Sequence, residues 1–181
     1  MGLVLLLGGA RSGKSALAVE LARRSRRPVV FVATGEARDE EMAERISRHR
    51  DARPKEWALV EEPTALLAAL EQVDEEAFLV LDCLSLWVAN MLERGAAEDA
   101  VVAEAGEAAL VAGRRPGPTV AVSNEVGLGI VPDTPLGRLY RDVLGRVNAG
   151  WAAEAHQTTF VVAGFLLRLQ PATAVLTALD D

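Results

Sequence analysis

Apolar residues in this chain gather in short unbroken runs rather than in alternation with polar ones. Leu3–Leu7 is the first, followed by Val29–Ala33, Trp57–Val60, Phe78–Leu81, Thr119–Val122 and Thr159–Ala163. Continuous apolar runs suit strands covered on both faces, as in a parallel sheet buried between helices. Between them lie stretches with helical spacing of apolar positions: Ser15–Arg24, Asp39–Arg48, Pro63–Gln72, Leu84–Arg94, Ala97–Ala112 and Pro135–Ala155. Pro63 stands in a first turn, and Gly95 and Gly113 follow last turns, where proline and glycine belong. Regular alternation of strand and helix predicts an α/β fold, an open, mostly parallel sheet flanked by helices. The link Arg114-Arg115-Pro116-Gly117-Pro118 reads as a loop, and 181 residues suit one domain spanning 1–181. Only the stretch after Pro171 looks weakly tied to the rest.

The first run ends in a chemical signature. Gly8-Gly9-Ala10-Arg11-Ser12-Gly13-Lys14-Ser15 fits G-x-x-x-x-G-K-[ST], with a strand before it and a helix after it. Glycines let backbone N–H groups curl around phosphate oxygens, and the following helix start favours negative charge. Lys14 would reach the β- and γ-phosphates, and the Ser15 hydroxyl could ligate Mg²⁺. This makes the α/β domain one of P-loop nucleotide-binding type. Asp82 closes the run Phe78–Leu81, where a carboxylate holds Mg²⁺ directly or through water, although an Asp there can also cap the next helix. No N-K-x-D guanine motif follows, which weighs against a Ras-like switch and leaves ATP and GTP both open.

Charge changes the picture at one place. The chain carries 19 basic and 26 acidic residues, a net charge of −7, which argues against general nucleic-acid binding. Of the basic residues only Lys14 and Lys55 are lysine, the bias expected of a GC-rich genome. Yet the window Arg45–Lys55 holds five basic residues against the single acid Asp51, a local charge of +4 with His49 in its middle. Acids lead that predicted helix and bases end it, so part of the pattern complements the helix dipole; Arg23, Arg24, Arg26 and Arg27 follow the first helix in the same way. What differs is His49. An imidazole nitrogen can attack phosphorus, and the guanidiniums around it could clamp the phosphates under attack. A surface histidine at a helix end is the plainer alternative, and it is the reading that suits His156. One cysteine, no apolar stretch of bilayer length and no charged leader before Leu3 predict a cytoplasmic protein without membrane insertion.

Taken together these residues resemble the bifunctional cobalamin-biosynthesis enzymes, adenosylcobinamide kinase/adenosylcobinamide-phosphate guanylyltransferase. The likeness spans nearly the whole chain. It rests on the phosphate loop, Ala33-Thr34-Gly35, the H-x-x-x-R-P of His49 to Pro54, Glu61-Glu62-Pro63 and Leu81-Asp82-Cys83-Leu84-Ser85-Leu86-Trp87. It continues in S-N-E-V-G-x-G-I-V-P from Ser123 to Pro132, and in Arg141-Asp142 to Arg146-Val147-Asn148. The resemblance implies phosphorylation of the aminopropanol hydroxyl of adenosylcobinamide by ATP or GTP. It further implies transfer of GMP from GTP to adenosylcobinamide phosphate through a guanylyl-histidine, which maps onto His49. GTP contacts map onto Gly8, Gly9, Ala10, Arg11, Ser12, Gly13, Lys14, Ser15, Ala33, Thr34, Gly35, Arg50, Asp51, Ala52, Arg53, Glu61 and Asp82, and the assembly onto a homotrimer. The chain departs from the family pattern at Gly164–Arg168, where a more polar, lysine-containing ending is common. Two other readings use the same residues: a kinase-only P-loop protein with His49 idle on the surface, and a nucleotide-dependent regulatory or partner-binding module.

Overall fold

The structure, a computed structural model, describes residues 2–51 and 53–174. The expected contact at Ala52 lies outside the described residues, as do the side chain of Asp51 and the stretch after residue 174.

Among the described residues seven strands form one sheet: β1 (Leu3–Leu7), β2 (Val29–Ala33), β3 (Ala58–Glu61), β4 (Phe78–Asp82), β5 (Thr119–Val122), β6 (Gln157–Val162) and β7 (Phe165–Arg168). Six helices connect them: α1 (Lys14–Arg23), α2 (Glu40–Asp51), α3 (Leu66–Glu71), α4 (Leu84–Glu93), α5 (Glu98–Arg114) and α6 (Pro135–Glu154). The strand order is β3-β2-β4-β5-β1-β6-β7, parallel throughout except for the β6–β7 pair. The expected α/β sheet is present, with element ends shifted by a few residues. Proline at position 63 precedes α3 rather than opening it, and β3 begins at Ala58 rather than Trp57.

β7 was not foreseen. The chain reverses through Ala163 and Gly164, both at positive φ (50° and 81°), the conformation that joins antiparallel strands most tightly. All four residues of β7 are exposed, so no buried face imposes the alternation by which a strand is read from sequence.

Strand parity divides the core. Leu3, Leu5 and Leu7 of β1 face one side, where Leu79 and Leu81 of β4 meet α3, α4, α5 and α6 around the fully buried Trp87 and Trp151. Val4 and Leu6 face the other side, with Val80, Phe31 and Ala18 and Ala22 of α1. Both tryptophans expected on helices are therefore core residues.

Glu62 holds the entry to α3. Its Oε1 accepts hydrogen bonds from the backbone N–H of Thr64 and of Ala65, each at 2.8 Å. The Ala65 and Thr64 amides favour the carboxylate and hold its pKa below the ordinary glutamate value of 4.5. A carboxyl with a depressed folded-state pKa stabilises above its unfolded pKa, and that stability is lost as pH falls through the depressed value. Glu62→Gln should therefore cost about 1 kcal/mol in urea unfolding at pH 7, and the gap from the parent should narrow as the pH falls below the ordinary glutamate value.

Candidate functional site

The phosphate loop is built where β1 stops. Gly8 has φ +150°, and a Cβ on it would lie 2.2 Å from the carbonyl oxygen of Val161 in neighbouring β6. No side chain fits between these two backbones. Gly13, at φ +105°, turns the chain into α1. Lys14 is buried, and its Nζ donates to the carbonyl oxygens of Gly8 (2.9 Å) and Gly9 (2.7 Å) and to Ser12 Oγ (3.3 Å). The ammonium thus sits inside the curl of the loop, and α1 presents its N-terminus to the same place. Two backbone bonds tie the loop to distant chain: Glu125 N–H donates to Gly8 O at 3.0 Å, and Gly164 N–H to Ser12 O at 3.1 Å.

A cavity of about 820 Å³ opens over this loop. Ala10, Arg11, Ser12, Gly13, Lys14 and Ser15 form its floor; Asp82, His49, Arg53 and Asn124 reach it from β4, α2, the segment after α2 and the end of β5. A side pocket of about 50 Å³ continues from it beneath α2, bordered by Ala33, Gly35, Met42, Ile46 and Glu61.

His49 reaches both spaces because of the face it occupies. Asp39 caps α2, its Oδ1 accepting from the backbone N–H of Met42 at 2.7 Å. Met42, Ile46 and His49 recur at i, i+4 and i+7, turning one half-buried stripe towards the side pocket. No described side chain of α2 is fully buried. His49 Nδ1 lies 3.6 Å from Asp82 Oδ2, too long for a hydrogen bond but close enough for Asp82 to bias the ring's orientation. The histidine, the Asp82 carboxylate and the phosphate loop therefore share one chamber.

Arg53 adds the cation best placed for phosphate. Its guanidinium lies 4.1 Å from the centroid of the Phe31 ring, and its Nη1 is buried with no hydrogen-bond partner among the described residues. Burial pulls its pKa down, opposed by the nearby Asp82 charge, and an arginine so placed still keeps its proton. The Arg53 side chain lines the cavity, and the forked N–H donors of a guanidinium there suit a phosphate ligand.

Other residues expected at the site take different positions. Gly8 and Gly9 are not among the residues that line the cavity; their carbonyl oxygens hold Lys14. Arg50 and Glu61 pair with each other at 2.7 Å on the exposed rim. Thr34 is fully buried; its Oγ1 donates to the carbonyl oxygen of Cys83 (2.6 Å) and accepts from the N–H of Cys83 (2.9 Å), fastening β2 to the end of β4. Ser15 and Asp82 both open on the cavity, a hydroxyl and a carboxylate of the kind Mg²⁺ takes beside substrate phosphates. No group of three or more His, Cys, Asp or Glu able to hold a metal occurs among the described residues.

The cavity also has walls that the sequence reading did not assign. Arg23, set with the helix-end cations, lines it, as do Arg48 and Phe31. Ser15, Ala16, Val19, Glu20 and Arg23 all border the cavity and lie on one face of α1, so helical spacing measured from Ser15 picks out Arg23.

Over residues 4–169 the chain matches the family described as cobinamide kinase / cobinamide phosphate guanyltransferase. The chain belongs to that family. Membership makes it a bifunctional enzyme of adenosylcobalamin biosynthesis, a kinase and a guanylyltransferase, and sets aside the kinase-only and regulatory readings. It is 43% identical over 169 residues to the bifunctional adenosylcobalamin biosynthesis protein CobP of Pseudomonas aeruginosa, covering 92% of this chain and 96% of that one. It is 36% identical to CobU of Escherichia coli and 35% identical to CobU of Salmonella typhimurium, each over 93% of this chain and 99% of the relative. Among solved structures, a type III secretion system ATPase of pathogenic bacteria superposes with TM-score 0.53 at 13% identity, over 97% of this chain and 53% of that one. A Pyrococcus horikoshii OT3 protein superposes with TM-score 0.56 at 10% identity, over 92% and 85% of the two chains. These distant likenesses bear on the P-loop α/β fold of the cobinamide kinase/guanyltransferase chain and on nothing else. No helix among its described residues is long and apolar enough to cross a membrane.

Proposed function

We propose that the chain phosphorylates the aminopropanol hydroxyl of adenosylcobinamide with ATP or GTP and then moves GMP from GTP onto the new phosphate through His49. The observation that carries this reading is that His49 opens on the same cavity as the Lys14 loop, with the unpaired Arg53 guanidinium beside it.

In the kinase step the substrate hydroxyl attacks the γ-phosphorus, the β–γ anhydride bond breaks, and the nucleoside diphosphate and a proton leave. Lys14 and the loop amides hold the phosphates, and their fixed charge stabilises the in-line transition state. In the guanylyl step Nδ1 of His49 is turned to Asp82, so Nε2 is the nitrogen that attacks the α-phosphorus. The P–N bond forms, the α–β anhydride breaks, and pyrophosphate leaves. An oxygen of adenosylcobinamide phosphate then displaces the histidine and gives adenosylcobinamide-GDP. Splitting one transfer into two in-line displacements is what a covalent intermediate supplies. Arg53 clamps the phosphates during attack, and Arg50, Asp51, Ala52 and Glu61 complete the nucleotide's surroundings. Mg²⁺, when bound, would be held by Ser15 and Asp82 and would neutralise phosphate charge. We propose further that the chain works as a cytoplasmic homotrimer.

Protein incubated with GTP labelled at the α-phosphate should retain an acid-labile, base-stable label, as a phosphoramidate does. Adenosylcobinamide phosphate should discharge that label into product. Failure to take up label would overturn the covalent route.

A further inference from the structure

Apolar side chains stand exposed along one rim of the phosphate loop. Leu128 is 81%, Ile130 96% and Phe165 77% exposed. Leu128 and Ile130 belong to the segment between β5 and α6, and Phe165 opens β7, where it pairs with the half-exposed Val162. Each segment is attached to the loop that would hold the phosphates: Glu125 N–H donates to Gly8 O, and Gly164 N–H to Ser12 O.

Strand register places the β6–β7 segment on one side of the sheet. Phe160 packs into the core formed with α3 to α6. Val162, two residues on, shares its face, and so does Phe165, the residue opposite Val162 across the pair. Val126 packs into that same core, so the segment carrying Leu128 and Ile130 leaves β5 on that side before it leads into α6. α1 lies on the other face, and the stripe of α2 that bears His49 borders the pocket beside Phe31 of the α1-side core. The phosphate loop therefore has the nucleotide cavity and His49 on one side and an apolar rim on the other.

The acceptor has a chemistry that suits such a rim. A corrinoid is a broad macrocycle edged with methyl and methylene groups, and its reactive hydroxyl ends a side arm. That hydroxyl has to meet the terminal phosphate held by Lys14, so the ring lies one arm's length from the loop. We propose that Leu128, Ile130, Val162 and Phe165 form the docking surface for the corrin ring of adenosylcobinamide, on the side of the phosphate loop away from His49. This rests on the acceptor assignment made above. Removing these side chains from water on docking supplies the affinity, and the two backbone ties fix the ring's distance from the phosphates.

The test compares wild type, the double variant Leu128→Ser/Ile130→Ser, and Phe165→Ser. For each, the kinase KM for adenosylcobinamide, the KM for nucleotide, the label taken from α-labelled GTP without corrinoid, and the solution mass are measured. The expected result is a KM for adenosylcobinamide raised about tenfold or more in both variants, with nucleotide KM, label and mass unchanged. An unchanged corrinoid KM overturns the docking surface. A lowered solution mass, with or without a raised KM, also overturns it and assigns the rim to a second copy of the chain. Wild type that labels itself yet phosphorylates no adenosylcobinamide removes the acceptor assignment and this surface together; normal turnover with an unaltered KM in the variants removes the surface alone.

Discussion

His49→Ala is expected to lose all measurable label from α-labelled GTP and to lower formation of adenosylcobinamide-GDP by about 10⁴-fold or more. The phosphorus–nitrogen bond cannot form on alanine, and no other described histidine lines the cavity. Phosphorylation of adenosylcobinamide should persist, because that step needs the Lys14 loop and not the imidazole. The split between the two activities is the informative result. His49 lies on α2, none of whose described side chains is fully buried, so truncating it should leave the melting temperature nearly unchanged. Undiminished label in the variant would reassign the nucleophile.

Lys14→Ala should lower the kinase rate by about 10³-fold and weaken guanylylation as well, since both reactions draw on phosphates held by the same loop. The change acts in two ways. It removes a positive charge from the floor of the cavity, and it removes a donor to the Gly8 and Gly9 carbonyls and to Ser12 Oγ. Lys14→Arg separates them by keeping the charge in a group too large for the curl. If geometry matters as much as charge, the arginine variant should be nearly as inactive as the alanine one. Both rates are read by product formation from γ-labelled ATP and α-labelled GTP. Full retention of both activities in Lys14→Ala would mean that the loop does not hold the reacting phosphates.

How legible each part was depended on how local its cause is. The phosphate loop could be read from eight consecutive residues, because the strand, the glycines and the helix start that it needs are adjacent in the chain. The place of Asp82 at the cavity could be read from the end of an apolar run, whereas the charge of its window singled out His49 but left a surface role open until the family likeness was considered. Arg23 could not, because dipole complementation accounts equally for Arg24, Arg26 and Arg27; only the rotation of α1 relative to the cavity singles it out. The position of Thr34 depends on Cys83, 49 residues further on, so nothing beside it in sequence announces a buried hydroxyl bridging two strands. β7 escaped because its apolar residues are exposed on both faces, and the pattern used to find strands records burial. The likeness to a known family supplied what spacing could not, the acceptor and the pairing of two reactions.

The place of β1 also bears on how the chain is made. This first strand pairs only with β5 and β6, Leu3 lying opposite Thr119 and Val4 opposite Gln157. On the ribosome the neighbours β2, β3 and β4 emerge early enough to pair among themselves, while Leu3–Leu7 waits as an unpaired apolar segment until β5 appears, and its second edge waits for β6. The phosphate loop waits for that second edge, since the carbonyl of Val161 that Gly8 packs against belongs to β6. A chain interrupted before Gln157 would therefore hold most of its helices and no finished nucleotide site. Its first strand, paired on one side with β5, would keep its other edge open to capture by a chaperone or by another chain.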